Sequence, residues 1–139
     1  MCLIAKKGSR KIATEDIPVY KIIKATDDPN KWDGPYYKAG LPFDQVVEVD
    51  SPDENKLERF GLKMIKCKGG FLHSFLRYEA ARSTWKSLRI LSDDNSQYLL
   101  TRAIIPKGAI FYTGYQDEDT TVASNKLIVE KPTGRYTQD

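Results

Sequence analysis

Histidine is almost missing from this chain, with His73 alone among 139 residues, and cysteine is scarce, with only Cys2 and Cys67 and no C-x-x-C spacing. That poverty argues against a zinc centre of the Cys/His type and against a disulfide framework, and it fits a reducing compartment. Long apolar runs are absent too. Apolar runs such as Ala103-Ile104-Ile105 fall far short of the roughly 20 residues that a bilayer-spanning helix requires. The N-terminal MCLIAKKGSR is too short in its apolar part, and carries its charges on the wrong side of it, for a secretory signal. No charge sign dominates: 22 Lys and Arg stand against 19 Asp and Glu, net +3, with the signs interspersed. A nucleic-acid partner normally needs a basic stripe, so the balance argues against one. These absences together lead to the expectation of a soluble, cytoplasmic protein with no metal and no cofactor.

What is present centres on Gly69 to Leu91, GGFLHSFLRYEAARSTWKSLRIL. Tyr78, Ala81, Trp85 and Leu88 recur at helical spacing, while Glu79, Arg82, Lys86 and Arg89 take the other faces, so the spacing predicts one principal amphipathic helix over about 76–91. Ser74 is placed to cap its start, Glu79 and Arg89 suit the two ends of the helix dipole, and Asp93-Asp94-Asn95 is placed to stop it. The glycine pair Gly69-Gly70 marks a turn or a close backbone approach.

Strand patterns lie on both sides of this helix. Ile17 to Ile23, IPVYKII, is the best early one, with Val19, Lys21 and Ile23 on one face and Tyr20 and Ile22 on the other. Shorter ones are expected at Cys2–Ala5, Phe43–Val49 and Leu62–Lys66. Gln97–Ile105 and Ala109–Tyr115 should form a hairpin or a tight corner across Pro106-Lys107-Gly108, and Ser124–Glu130 closes the regular structure. Ala25 to Pro42, with three prolines and two glycines among Trp32, Tyr36 and Tyr37, has the composition of a loop, and Asp50–Arg59 that of a charged surface loop. The expected fold is α+β: a mixed or mainly antiparallel sheet folded around or over the one helix, in a single domain spanning 1–139 with a frayed tail at 131–139.

No complete catalytic constellation is present, and neither Gly69-Gly70 nor Pro106-Lys107-Gly108 has phosphate-loop spacing. His73 is the one side chain of a type whose unperturbed pKa lies near neutrality and is the first candidate for a site; alternation places it on the same side as Phe71 and Phe75. Histidine between two phenylalanines is more commonly structural, since a base needs a third group to orient it. Exposure of Cys2 by loss of Met1 would give an N-terminal nucleophile, but that chemistry belongs to a much larger fold. Acidic pairs such as Asp27-Asp28, and the run Asp117-Glu118-Asp119, lack calcium-loop spacing. Aromatic and polar groups around the middle of the chain, Tyr20, Lys21, Tyr36, Tyr37, His73, Ser74 and Arg77, are the expected ligand-binding set.

Three stretches, KIATEDIPVYKII, GGFLHSF ahead of EAA, and IIPKGAIFYTG followed by ASNKLIVEK, resemble a family of small proteins of tailed phages and Bacteroides-type bacteria. The resemblance covers most of the chain and implies relatives rather than a reaction. It implies an accessory or anti-defence factor in the host cytoplasm that binds a nucleotide-like ligand or a host protein without catalysis. The chain also resembles ADP-ribosyltransferase-like folds, with Val19-Tyr20-Lys21, His73-Ser74-Phe75 and Ala123-Ser124 at the corresponding places. That likeness implies an enzyme acting on NAD, although Lys21 replaces the usual arginine or histidine and no glutamate motif surrounds Glu118. A virion-associated structural protein, self-associating through an exposed sheet edge, is the remaining class.

Overall fold

The computed structural model describes residues 3–6, 8–34, 37–50, 57–59, 64–67, 71–91, 98–114 and 120–132, with 37–39, 58–59 and 64–67 as backbone only. In chain order these form β1 (Leu3–Lys6), β2 (Lys11–Ile12), β3 (Ile17–Ala25), β4 (Lys31–Gly34), β5 (Tyr37–Pro42), β6 (Val46–Glu48) and β7 (Glu58–Arg59). There follow β8 (Met64–Cys67), β9 (Leu72–Phe75), α1 (Tyr78–Leu91), β10 (Tyr98–Ile105), β11 (Ile110–Thr113), β12 (Thr121–Ser124) and β13 (Lys126–Val129). Every strand pairing is antiparallel among the described residues. The α+β class with one helix and a mainly antiparallel sheet is thus observed.

The main sheet runs β2-β11-β12-β9-β3-β10-β13-β6, with β4 and β5 added beside β3. Its order forces a closed shape. Between β12 and β13 lie four inter-strand steps, about 19 Å if the sheet were flat. Yet Ser124 and Lys126 are separated by Asn125 alone, and two residues of chain reach at most about 7 Å. Residues 121–129 are therefore one bent strand that pairs with β9 through its first half and with β10 through its second. The sheet curls into a small barrel around a core contributed by every wall: Val19 and Ile23, Leu72, Ala103 and Ile105, Val122, Leu127 and Val129. Asn125 holds the bend by donating its amide to the Ile110 carbonyl (3.0 Å) and accepting the Ile110 amide on Oδ1 (2.8 Å).

The helix lies outside this barrel rather than within the fold of the sheet. Ala81 and Trp85 are buried against Ile22, Phe75 and Leu100, with Tyr78 and Leu88 packed alongside, which is the stripe read from the sequence. Trp85 Nε1 donates to the Tyr98 carbonyl at 2.7 Å, so the indole nitrogen is satisfied where it is buried. A smaller sheet, β1-β8-β7, packs Leu3 and Ala5 against Phe71, Tyr112 and Ala123.

Several expectations need correction. The stretch 25–42 contains a hairpin, β4–β5, rather than only loop, and Trp32 anchors it, fully buried with Nε1 donating to the Pro42 carbonyl at 3.1 Å. The strand expected over Phe43–Val49 shortens to β6, because Asp44 sits at φ 58 and bends the chain. Within the expected Asp50–Arg59 loop, Glu58–Arg59 pairs with β8 as β7. At Pro106-Lys107-Gly108 the expectation of a hairpin or a tight corner resolves to the corner, since β10 and β11 do not pair; Ala109 donates to the Pro106 carbonyl (3.0 Å) and Gly108 takes φ 89. Ser74 does not cap the helix: β9 holds it, and the Arg77 carbonyl accepts the first helical amide, from Ala81 at 3.2 Å. Cys2, Tyr36, Gly69-Gly70, Asp93-Asp94-Asn95, Asp117-Glu118-Asp119 and the tail from 133 lie outside the described residues.

Candidate functional site

Strand alternation sorts the residues singled out in the sequence onto opposite surfaces. On β3, Val19, Lys21 and Ile23 face the barrel interior, whereas Tyr20 and Ile22 face α1. On β9, Leu72 and Ser74 face inward, which sends His73 to the outer side with Phe71 and Phe75. Tyr20 meets Tyr78 of the helix edge-on, with ring centroids 5.5 Å apart. Arg77 is exposed at the helix entry, His73 is half-buried, and Tyr37 lies in β5, of which only the backbone is described there. The expected set does not converge on one point. Lys21 and Ser74 do come together, and they do so inside the barrel.

Lys21 is the centre of that interior pair. It is 2 % exposed, flanked along its strand by the buried Val19 and Ile23. Its Nζ donates to the His73 backbone carbonyl at 2.6 Å and lies 5.9 Å from the Trp32 ring centroid. No carboxylate forms an ion pair with it among the described residues. Burial disfavours the charged amine and pulls its pKa down from 10.5 to about 8.

The neighbours across the strands are hydroxyls. Tyr20 pairs with Phe75, and the antiparallel register carried one residue further sets Lys21 opposite Ser74. On the other side Lys21 pairs directly with Thr101 of β10. Thr101 Oγ1 is committed to the Glu130 carbonyl at 2.7 Å. Ser74 is 1 % exposed, and its Oγ has no hydrogen-bond partner. The sequence signal for Thr101 is modest: a hydroxyl at an inward position between Leu99 and Ala103.

Ammonium, unsatisfied hydroxyl and aromatic face therefore sit together in an otherwise apolar interior. Such a set can receive an anionic or carbonyl oxygen, because Nζ retains two protons beyond the one given to His73, and Ser74 retains its one. Among the described residues no group of three or more His, Cys, Asp or Glu could hold a metal ion, and no helix is long and apolar enough to cross a membrane. No protein-family model, curated protein or solved structure matches the chain.

Proposed function

We propose that this chain binds a small anionic, nucleotide-like ligand without catalysing a reaction on it, and that Lys21 is its charged anchor. The observation that carries the reading is the buried Lys21 ammonium, which has a backbone carbonyl for its hydrogen-bond partner and no countercharge among the described residues. A buried charge without an opposite charge costs several kcal/mol. An incoming phosphate or carboxylate offsets that cost directly, and Ser74 Oγ supplies a second donor. In a phage-type accessory protein, such a site would act by withdrawing a nucleotide signal from the host.

Titration calorimetry against nucleotides, cyclic nucleotides and ADP-ribose, in two buffers of different ionisation enthalpy at pH 8, tests this. An anion raises the Lys21 pKa, so at pH 8 the amine, which titrates near 8 when free, takes up about half a proton from the buffer on binding. Lys21→Met abolishes both binding and uptake. Failure of every ligand to bind at high micromolar concentration, or equal affinity in Lys21→Met, overturns the reading. NAD incubated with the protein is expected to remain intact; release of nicotinamide would favour the transferase-like alternative instead.

A further inference from the structure

We propose that Lys21 is also a covalent anchor, whose side-chain amine condenses with small aldehydes or ketones that enter the barrel. The inference goes beyond anion binding and uses the other protonation state of the same group. Three features of the geometry support it. Lys21 leaves its strand between the buried Val19 and Ile23 and is itself 2 % exposed, so water competes poorly for its amine. Its hydrogen bond to the His73 carbonyl occupies one N–H, which fixes the direction of the amine while leaving the nitrogen lone pair for attack once the group is neutral. Ser74 stands opposite Lys21 across the strand pair, and its Oγ, without a hydrogen-bond partner, is available as a proton relay. The position of its amine equilibrium, about 8, leaves a working fraction of neutral amine at mildly basic pH.

The chemistry balances without a further reactant. The Nζ lone pair attacks the carbonyl carbon and forms the C–N bond, while the C=O pair moves to oxygen. Ser74 gives that oxygen a proton and regains one from the nitrogen, so the carbinolamine is neutral. Loss of the hydroxyl with the remaining amine proton expels water and leaves a C=N bond. Overall, one aldehyde and one amine become one imine and one water, and nothing is oxidised or reduced.

Trapping by cyanoborohydride distinguishes this from surface chemistry. The native protein is incubated at pH 8 with propanal, which is neutral, or with glyoxylate, which carries a carboxylate, and the adducts are mapped by peptide mass spectrometry. Lys21 is expected to be modified at least about tenfold faster than any other lysine. Ser74→Ala, which keeps the fold because it deletes a hydroxyl that bonds to nothing, slows the Lys21 adduct about tenfold. Lys21→Met loses the fast adduct while its circular dichroism is unchanged. Adducts spread over other lysines with Lys21 untouched, or labelling of Lys21 only after unfolding in urea, would overturn the proposal. Binding of inorganic phosphate, followed in parallel by calorimetry, separates the two readings. If phosphate binds and neither aldehyde adds at Lys21, the covalent inference fails alone. If propanal adds and phosphate does not bind, the anion reading fails alone.

Discussion

At the scale of single residues the dominant quantity is the desolvation of Lys21. Its native pKa of about 8 lies below the 10.5 of the unfolded chain, so between these values the unfolded state binds more protons and stability rises with pH. Below about pH 8 the amine is charged in both states and the full desolvation cost is present. Lys21→Met should therefore be more stable than the parent at pH 7 by up to about 3 kcal/mol, and the gap should narrow as pH rises from 8 towards 10.5. Urea unfolding of both proteins across that range checks it, since other titrating groups cancel in the difference. A gap that stays constant would mean that Lys21 is not desolvated. Ser74 makes a related prediction: Ser74→Ala removes a buried hydroxyl without a partner and should leave stability unchanged or raise it by up to about 1 kcal/mol.

At the scale of elements, α1 is held by its apolar stripe rather than by its ends. Trp85 is the largest contributor, 0 % exposed and hydrogen-bonded to the carbonyl of Tyr98 at the start of β10, while the Arg89 guanidinium covers its ring at 4.7 Å. Trp85→Ala should cost about 3–5 kcal/mol, measured as a fall in the unfolding midpoint. Arg89→Ala, at an exposed position, should cost less than about 1 kcal/mol. The corner between β10 and β11 depends on backbone conformation instead. A Cβ at Gly108 would meet nothing within 4 Å, but the φ of 89 is costly for any L side chain. Gly108→Ala should lose about 1 kcal/mol through strain alone, with no change in ligand affinity.

For the whole molecule, closure of the barrel is the property on which stability and site both depend. Asn125 joins β12 to β13, ties Ile110 through two hydrogen bonds, and gives its carbonyl to the Val49 amide at 2.8 Å. Asn125→Ala leaves the Ile110 amide without its side-chain acceptor and should cost about 1–3 kcal/mol. Because the bend couples the β9 and β10 walls that flank Lys21, the same variant should weaken binding of an anionic ligand. Calorimetry on a folded sample would show it, and unchanged affinity would separate the bend from the site. At the two ends of the sheet path, the edge strands β2 and β6 are short, and they expose Ile12 and Val46. Short edges limit pairing between molecules.

What the sequence determined by itself was local and periodic. The division of β3 into Val19, Lys21 and Ile23 against Tyr20 and Ile22 follows from a two-residue repeat, as the buried stripe of α1 follows from a 3.6-residue one. Trp32, Tyr36 and Tyr37 among prolines and glycines gave the signal of a loop, because hairpin pairing of β4 with β5 depends on partners rather than on propensity. Helix spacing fixed which face of α1 packs, but not that β9 would retain Ser74 for its ladder with β12. Only the tertiary structure decided that residues 121–129 bend at Asn125 and close a barrel, since that rests on pairings between segments far apart in the chain. Closure in turn chose which of the candidate residues meet. It brought Lys21, Ser74 and Thr101 inward and left Tyr20, His73 and Arg77 on other surfaces, because a strand's two faces are fixed locally while the identity of inside and outside belongs to the whole fold.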